Sequence, residues 1–232
     1  MSEPLVIITG AGRGIGRAIA LRFAAERYLV VAVARNSNQL AETAAQVEAA
    51  AGRCYTHVAD VSSAAEVEQV VDSALQWHGR IDVLVNNAGL APLATAATMP
   101  LDVYQQCNGV NIDAVFYACR AVWDTMRRQG GGTIVNISSL SAVDPFPGLG
   151  TYGAAKAWVV AFTRSLAEEG RADNIRVLGV GPGAVDTQML RGPFPDLPAE
   201  RCLRPQDVAE TVYQMTMPAY RYATGQTLYI CK

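Results

Sequence analysis

Short β-branched apolar runs alternate along the chain with longer alanine-rich segments whose apolar residues return at helical spacing. The predicted strands are Leu5 to Thr9, Leu29 to Ala34, Cys54 to Val58, Ile81 to Asn86, Gly132 to Ser138, Ile175 to Gly181 and Thr227 to Ile230. Helices are predicted to begin near Ile15, Asn38, Ala64, Asn111, Tyr152 and Pro205. Ser63 has the chemistry of an N-cap, and Gly52 and Gly79 are placed to stop two helices as C-terminal glycines do. Strand-helix alternation without a long linker predicts one α/β domain over residues 1–232, a doubly wound parallel sheet with helices on both faces. The least regular stretch, Pro182 to Pro205, contains Pro193, Pro195 and Pro198. It reads as a substrate loop (182–205) crossing the carboxyl edge of the sheet, where ligand crevices form.

Composition narrows the partners. A chain of 232 residues, 50% of them hydrophobic, can fill one large core. Its formal charge is −2 and no Lys/Arg cluster stands out, so small molecules are expected and neither nucleic acid nor a membrane surface is. Cys54, Cys107, Cys119, Cys202 and Cys231 are scattered without a C-x-x-C, and His57 and His78 lie apart. Neither a disulfide framework nor a bound metal is expected. The run from Met1-Ser-Glu-Pro enters an apolar stretch too short for a signal peptide, and no apolar run reaches membrane-spanning length. The expected location is cytoplasmic.

The first strand leads into Gly10-Ala-Gly12-Arg13-Gly14-Ile15-Gly16 and then a periodic apolar helix. Glycines in a strand-turn-helix context let a diphosphate rest on backbone N–H groups at the positive end of the helix. The spacing departs from G-x-G-x-x-G, because the last slot of that pattern is Ile15. An NAD site normally places an acid about 20 residues on, to accept the ribose hydroxyls. Here the second strand ends Ala34-Arg35-Asn36. With guanidinium groups at Arg35 and Arg13 and no carboxylate, a 2′-phosphate and hence NADP(H) is the expected cofactor, with NAD(H) as the alternative. Either arginine is otherwise an ordinary surface charge.

Tyr152 and Lys156 stand four residues apart, on one face of a predicted helix. A phenol of ordinary pKa about 10 is a sluggish proton carrier at neutral pH, and a neighbouring cation favours phenolate and lowers that value. The pair is therefore a candidate proton donor and acceptor.

Taken together, these motifs resemble the short-chain dehydrogenase/reductase family in its compact branch. They are Thr9-Gly-x-x-x-Gly14-x-Gly16, Asn86-Asn87-Ala88-Gly89, Asn111 opening a helix, Ser139 thirteen residues before Tyr152, Lys156, and Pro182-Gly183 leading to Thr187. The resemblance spans almost the whole chain and implies a Rossmann-like fold and hydride transfer between NADP(H) and a carbonyl or alcohol. It implies that Ser139 hydrogen-bonds the carbonyl oxygen and Tyr152 protonates it. Lys156 would lower the Tyr152 pKa and hold the nicotinamide ribose, and Asn111 would bind a water linking Lys156 to solvent. Ser138 competes for the carbonyl role, but strand alternation points it the opposite way. Asn111 is otherwise a helix cap.

For the cofactor, the resemblance places Asp60 and Val61 against adenine and sets Asn87, Ala88 and Gly89 under the adenosine ribose. Pro182, Gly183, Val185 and Thr187 would fix the carboxamide. Asp60 is otherwise a turn residue before Ser62, and Thr187 a helix cap. Leu90, Ala91, Pro92, Leu140, Val143, Phe146, Met189 and Leu190 are candidate walls of an apolar substrate site, with Arg191 or Arg201 able to swing in. The clustered prolines argue against a long lid helix. Val115, Phe116, Trp123, Trp158 and Phe162 make two helices apolar on more than one face, which with the resemblance implies a homodimer or homotetramer. The rival readings are an NAD-dependent alcohol dehydrogenase, a reductase of acyl thioesters, which would want a basic entrance, and a nucleotide-binding regulator that has lost catalysis.

Overall fold

The computed structural model describes residues 3–232. Met1 and Ser2, which open the run behind the signal-peptide expectation, lie outside the described residues. The elements follow in the order β1 (Leu5–Thr9), α1 (Gly14–Ala25), β2 (Leu29–Ala34), α2 (Ser37–Ala49), β3 (Arg53–Val58), α3 (Ala64–His78) and β4 (Val83–Asn86). After these come α4 (Leu101–Asn108), α5 (Ala114–Arg128), β5 (Gly132–Ile137), α6 (Gly150–Glu169), β6 (Ile175–Pro182), α7 (Gln188–Arg191), α8 (Pro205–Thr216) and β7 (Thr227–Ile230).

The strands form one sheet, in the order β3-β2-β1-β4-β5-β6-β7, with every pairing parallel. Side chains of a strand alternate between its faces, and here both faces are covered. Leu5, Ile7, Leu29, Val31, Ile175 and Val177 enter the core on one side, packed against residues of α3, α5 and α6. Val6, Ile8, Val30, Ala32, Leu178 and Val180 enter the other, against α1, α2 and α8. The fold is thus the doubly wound single domain that the pattern predicts. Winding reverses between β1 and β4, and a crevice opens at the carboxyl ends of those strands.

Three local expectations need correction. Asn111 does not open a helix; it lies in a π-helical turn, Gly109–Asp113, that joins α4 to α5. Gly52 is not the left-handed residue that ends α2. Ala51 takes that conformation (φ 59°), while the Gly52 N–H donates to the Val47 carbonyl at 2.9 Å. Glycine is needed at 52 for space, since a Cβ there would lie 2.8 Å from the Ala24 side chain. The substrate loop is not wholly irregular, because Thr187 caps the four-residue α7. Ser63 and Gly79 behave as predicted, the first accepting from the Glu66 N–H and the second closing α3 at φ 80°. Among the described residues no helix is long and apolar enough to cross a membrane.

Candidate active site

The turn after β1 brings two backbones unusually close. Gly10 takes φ 67°, and a Cβ on it would lie 2.9 Å from the Ala88 Cα. A Cβ on Gly16 would fall 2.2 Å from the Gly10 carbonyl oxygen, so Gly16, rather than the residue in the Ile15 slot, supplies the close helix-to-turn packing. Asn87 staples the arrangement: its Nδ2 donates to the Thr9 carbonyl at 2.9 Å, and the Asn87 and Ala88 N–H groups donate to the Thr9 hydroxyl at 3.0 and 3.1 Å. Arg13 at the start of α1 is extended and no side chain caps that end among the described residues. First-turn amides thus face the crevice as anion donors.

Arg35 sits at the end of β2 with its side chain 71% exposed, its guanidinium 3.8 Å from the Asp60 carboxylate. Asp60 forms the expected turn, its Oδ1 accepting from the Ser62 N–H at 2.9 Å and hydroxyl at 2.7 Å. Burial pushes this carboxyl up, but the Ser62 hydrogen bonds and Arg35 outweigh it and hold it below the usual carboxylate range. Asn36 is engaged in capping α2 through the Gln39 N–H. Arg13 reaches across the crevice mouth and donates to the Gln188 side chain at the start of α7.

The proton-handling groups converge from β5 and α6. Ser138 and Ser139 both border the cleft, but the Ser138 hydroxyl is committed to the Lys156 carbonyl at 2.9 Å, whereas the Ser139 Oγ accepts from the Ser141 N–H and keeps its own proton to donate. Lys156 is 3% exposed; its Nζ donates to the Ile137 carbonyl at 2.9 Å and lies 5.7 Å from the centroid of the Tyr152 ring. Burial pulls the ammonium down to about 8. The phenol departs from the expected direction. Burial holds Tyr152 above its ordinary value, and the Ser139 hydroxyl only partly offsets this. The Lys156 ammonium is directed at the Ile137 carbonyl rather than at the phenol oxygen. Asn111 is fully buried behind the cleft rather than lining it. Its Nδ2 donates to the Leu90 and Cys107 carbonyls at 2.7 and 2.8 Å, tying the loop after β4 to the π turn. A Cβ on Gly89 would lie 3.3 Å from the Asn111 Oδ1 and 3.7 Å from the Lys156 Nζ, so both polar groups border the hollow that glycine leaves there.

These groups border one cleft of about 1280 Å³. Every residue expected around the cofactor lines it: Gly10, Gly12, Arg13, Gly14, Ile15, Gly16, Arg35, Asp60, Val61, Asn87, Ala88, Gly89, Tyr152, Lys156, Pro182, Gly183, Val185 and Thr187. On the substrate side Ala91, Leu140, Phe146, Met189, Leu190 and Arg201 line it, whereas Leu90, Pro92 and Val143 do not. Arg191 also stays out, held by Asp186 at 2.8 Å. Sequence reasoning missed Asp144, Leu149, Phe194 and Leu197 in this wall. Pro193, Pro195 and Pro198 mark Phe194 and Leu197 only as loop residues, and no periodicity marks a loop side chain that folds inward.

Residues 4–197 match the family model of the short chain dehydrogenases. A 3-oxoacyl-(acyl-carrier-protein) reductase of Synechocystis sp. is 36% identical, over 98% of this chain and 95% of that protein. The 3-ketoacyl-(acyl-carrier-protein) reductase of Brucella melitensis, solved with NADH, superposes with a TM-score of 0.90 at 32% identity, covering 98% of this chain and 96% of the other. A variant actinorhodin polyketide ketoreductase, solved with NADPH, gives 0.94 at 30% identity, covering 99% and 96%. Glycine turn, tyrosine-lysine helix and switch-point cleft thus stand on a sheet shared end to end with these proteins, and the chain belongs to the short-chain dehydrogenase family of oxidoreductases.

Proposed function

We propose that the protein reduces a ketone or aldehyde to an alcohol with NADPH. The observation that carries this reading is the convergence of Tyr152, Ser139 and the buried Lys156 on one cleft beside the glycine turn, with burial holding the phenol in its donating form. A nicotinamide dinucleotide fits the chain, because the Gly10 to Gly16 turn exposes first-turn amides and Gly89 leaves a hollow beside Lys156. When bound, it supplies the hydride to the carbonyl carbon. Ser139 Oγ donates to the carbonyl oxygen and orients it. Tyr152 Oη transfers its proton to that oxygen as negative charge develops. Lys156, charged below about pH 8, stabilises the phenolate left behind and returns a proton to it. Asn111 and Lys156 border the Gly89 hollow, through which a water relays the replacement proton from solvent.

The choice of NADPH over NADH rests on Arg35, exposed just after β2, which itself ends without a carboxylate, and on Arg13, whose guanidinium would have to leave Gln188 to join it. Asp60 and Val61 would hold the adenine, Asn87 to Gly89 the adenosine ribose, and Pro182 to Thr187 the carboxamide; all these residues line the cleft. The segment 182–205, several of whose residues line the cleft, is the substrate loop of this reading. Phe116 is exposed and meets Phe162 at 6.1 Å, and Phe162 stacks on Trp158 at 4.5 Å, which supports a homodimer or tetramer built on this face of α5 and α6 in a cytoplasmic enzyme. The test follows NADPH absorbance across a ketone and aldehyde panel. Tyr152→Phe is expected to lower kcat by about 10²–10⁴-fold, the usual contribution of a general acid, and undiminished turnover by that variant refutes the mechanism.

A further inference from the structure

The substrate half of the cleft is built differently from its phosphate half. Beyond Ser139 the chain passes Asp144 and Phe146 before α6, and the loop after β6 returns over the same space with Met189 and Phe194. Phe146 and Phe194 meet edge to face across the gap, their centroids 5.3 Å apart and their planes at 88°. Both rings border the cleft, yet Phe146 remains 50% exposed. This pair joins two loops over a cavity and keeps aromatic surface open to it, an arrangement suited to a third ring at edge-to-face or offset distance.

The charges at this mouth point the same way. Segment 186–201 carries Asp186, Asp196 and Glu200 against Arg191 and Arg201. Arg191 is held by Asp186 and donates to the Pro195 and Leu197 carbonyls. Arg201 is then the cation of this segment without a carboxylate partner among the described residues, and Asp144 lines the same space. An acyl thioester delivered on a carrier protein arrives on an arm that begins with an anionic phosphodiester. Arg13, which donates to Gln188, and Arg201 stand here without a carboxylate partner among the described residues, beside Asp144, Asp196 and Glu200, so the mouth has no net basic patch for an anionic arm.

Resting on the reading of the site as a carbonyl reductase, we infer that the substrate is a free ketone on an aromatic or alicyclic ring, seated against the cleft-facing surface of the Phe146–Phe194 pair, and not a carrier-bound acyl thioester. Three substrates discriminate: β-tetralone, its open-chain counterpart 2-decanone, and acetoacetyl acyl carrier protein. The expected order of kcat/KM is β-tetralone, then 2-decanone, then the carrier thioester. Phe146→Ala and Phe194→Ala should each lower the ratio of ring to open-chain kcat/KM by about tenfold, chiefly through KM, since each removes much of one aromatic contact surface. A carrier thioester turned over best, or a ratio unchanged in both variants, overturns the inference. Thermal unfolding with β-tetralone, without turnover, reads the ring site separately. The native protein should gain melting temperature and both variants should lose that gain. No oxidation of NADPH by any of the three substrates refutes the reductase reading, whereas no melting shift with β-tetralone overturns the ring site.

Discussion

Lys156→Met should stabilise this protein while disabling it. The side chain is 3% exposed, and burial lowers its pKa from 10.5 to about 8. Below pH 8 the folded protein therefore holds an ammonium in a place that disfavours charge. The fall from 10.5 to about 8 corresponds to about 3 kcal/mol of destabilisation at neutral pH. Methionine keeps most of the volume but removes the donor to the Ile137 carbonyl, which costs about 1 kcal/mol. The net gain is about 2 kcal/mol, or about 4–8 °C in Tm for a chain of this size. The sign of the pH dependence checks the cause. For a buried lysine of lowered pKa, the unfolded chain binds more protons between pH 8 and 10.5, so the native protein gains stability as pH rises through that window. The Tm advantage of Lys156→Met should accordingly be full at pH 7 and shrink towards pH 10. Calorimetry without cofactor, so that ligand linkage does not contribute, measures both. A variant less stable than the native protein at pH 7, or an advantage that does not change with pH, refutes the reasoning.

Arg35→Asp should raise KM for NADPH by at least about tenfold relative to NADH, as a bidentate guanidinium-phosphate contact is replaced by repulsion; steady-state kinetics with both cofactors would show equal effects if Arg35 were an ordinary surface charge. Gly16→Ala should cost about 1–3 kcal/mol or more, because the new Cβ meets a backbone carbonyl at 2.2 Å that cannot rotate away. Gly150→Ala, with nothing within 4 Å of its Cβ, should be neutral or stabilising by up to about 1 kcal/mol in the same melts. Alcohol oxidation through this site needs Tyr152 deprotonated, and its pKa is raised by burial. Oxidation should therefore increase with pH above neutrality while reduction does not, and pH profiles in both directions that rise together would contradict that order.

The parts of the fold that were legible in sequence are those where burial and pattern coincide. β1, β2 and β7 run between the residues that their apolar runs mark, because each run is bounded by a residue that ends the strand. β4 begins at Val83 rather than Ile81, although Ile81 is fully buried, because the Ile81 N–H is taken by the Gln129 side chain. α4 left no readable stripe. Leu101 is 78% exposed, Tyr104 is exposed as well, and Cys107 is its buried residue, so apolar periodicity has little to follow. The π turn was equally hidden. One extra residue in a helical turn leaves composition unchanged, and its trace is the Asn111 side chain bonded to the Cys107 carbonyl four residues back.

The chemistry of the site was legible for a different reason. Parallel strands end at one edge, so short motifs far apart in sequence arrive at one cleft whenever each follows a strand, as Gly10, Asn87, Ser139 and Gly183 do. Proximity alone could not give the direction of the Tyr152 pKa. The four-residue spacing to Lys156 suggests phenolate, but the Nζ is directed at the Ile137 carbonyl, and both side chains are desolvated by groups remote in sequence. The consequence for function is specific. A phenol kept neutral beside Ser139 is ready to give a proton, whereas a phenolate would first have to acquire one. For the proposed reduction the raised phenol is in its donating form, and Lys156 matters most after the proton has left, when the charge on Tyr152 Oη must be held and then removed.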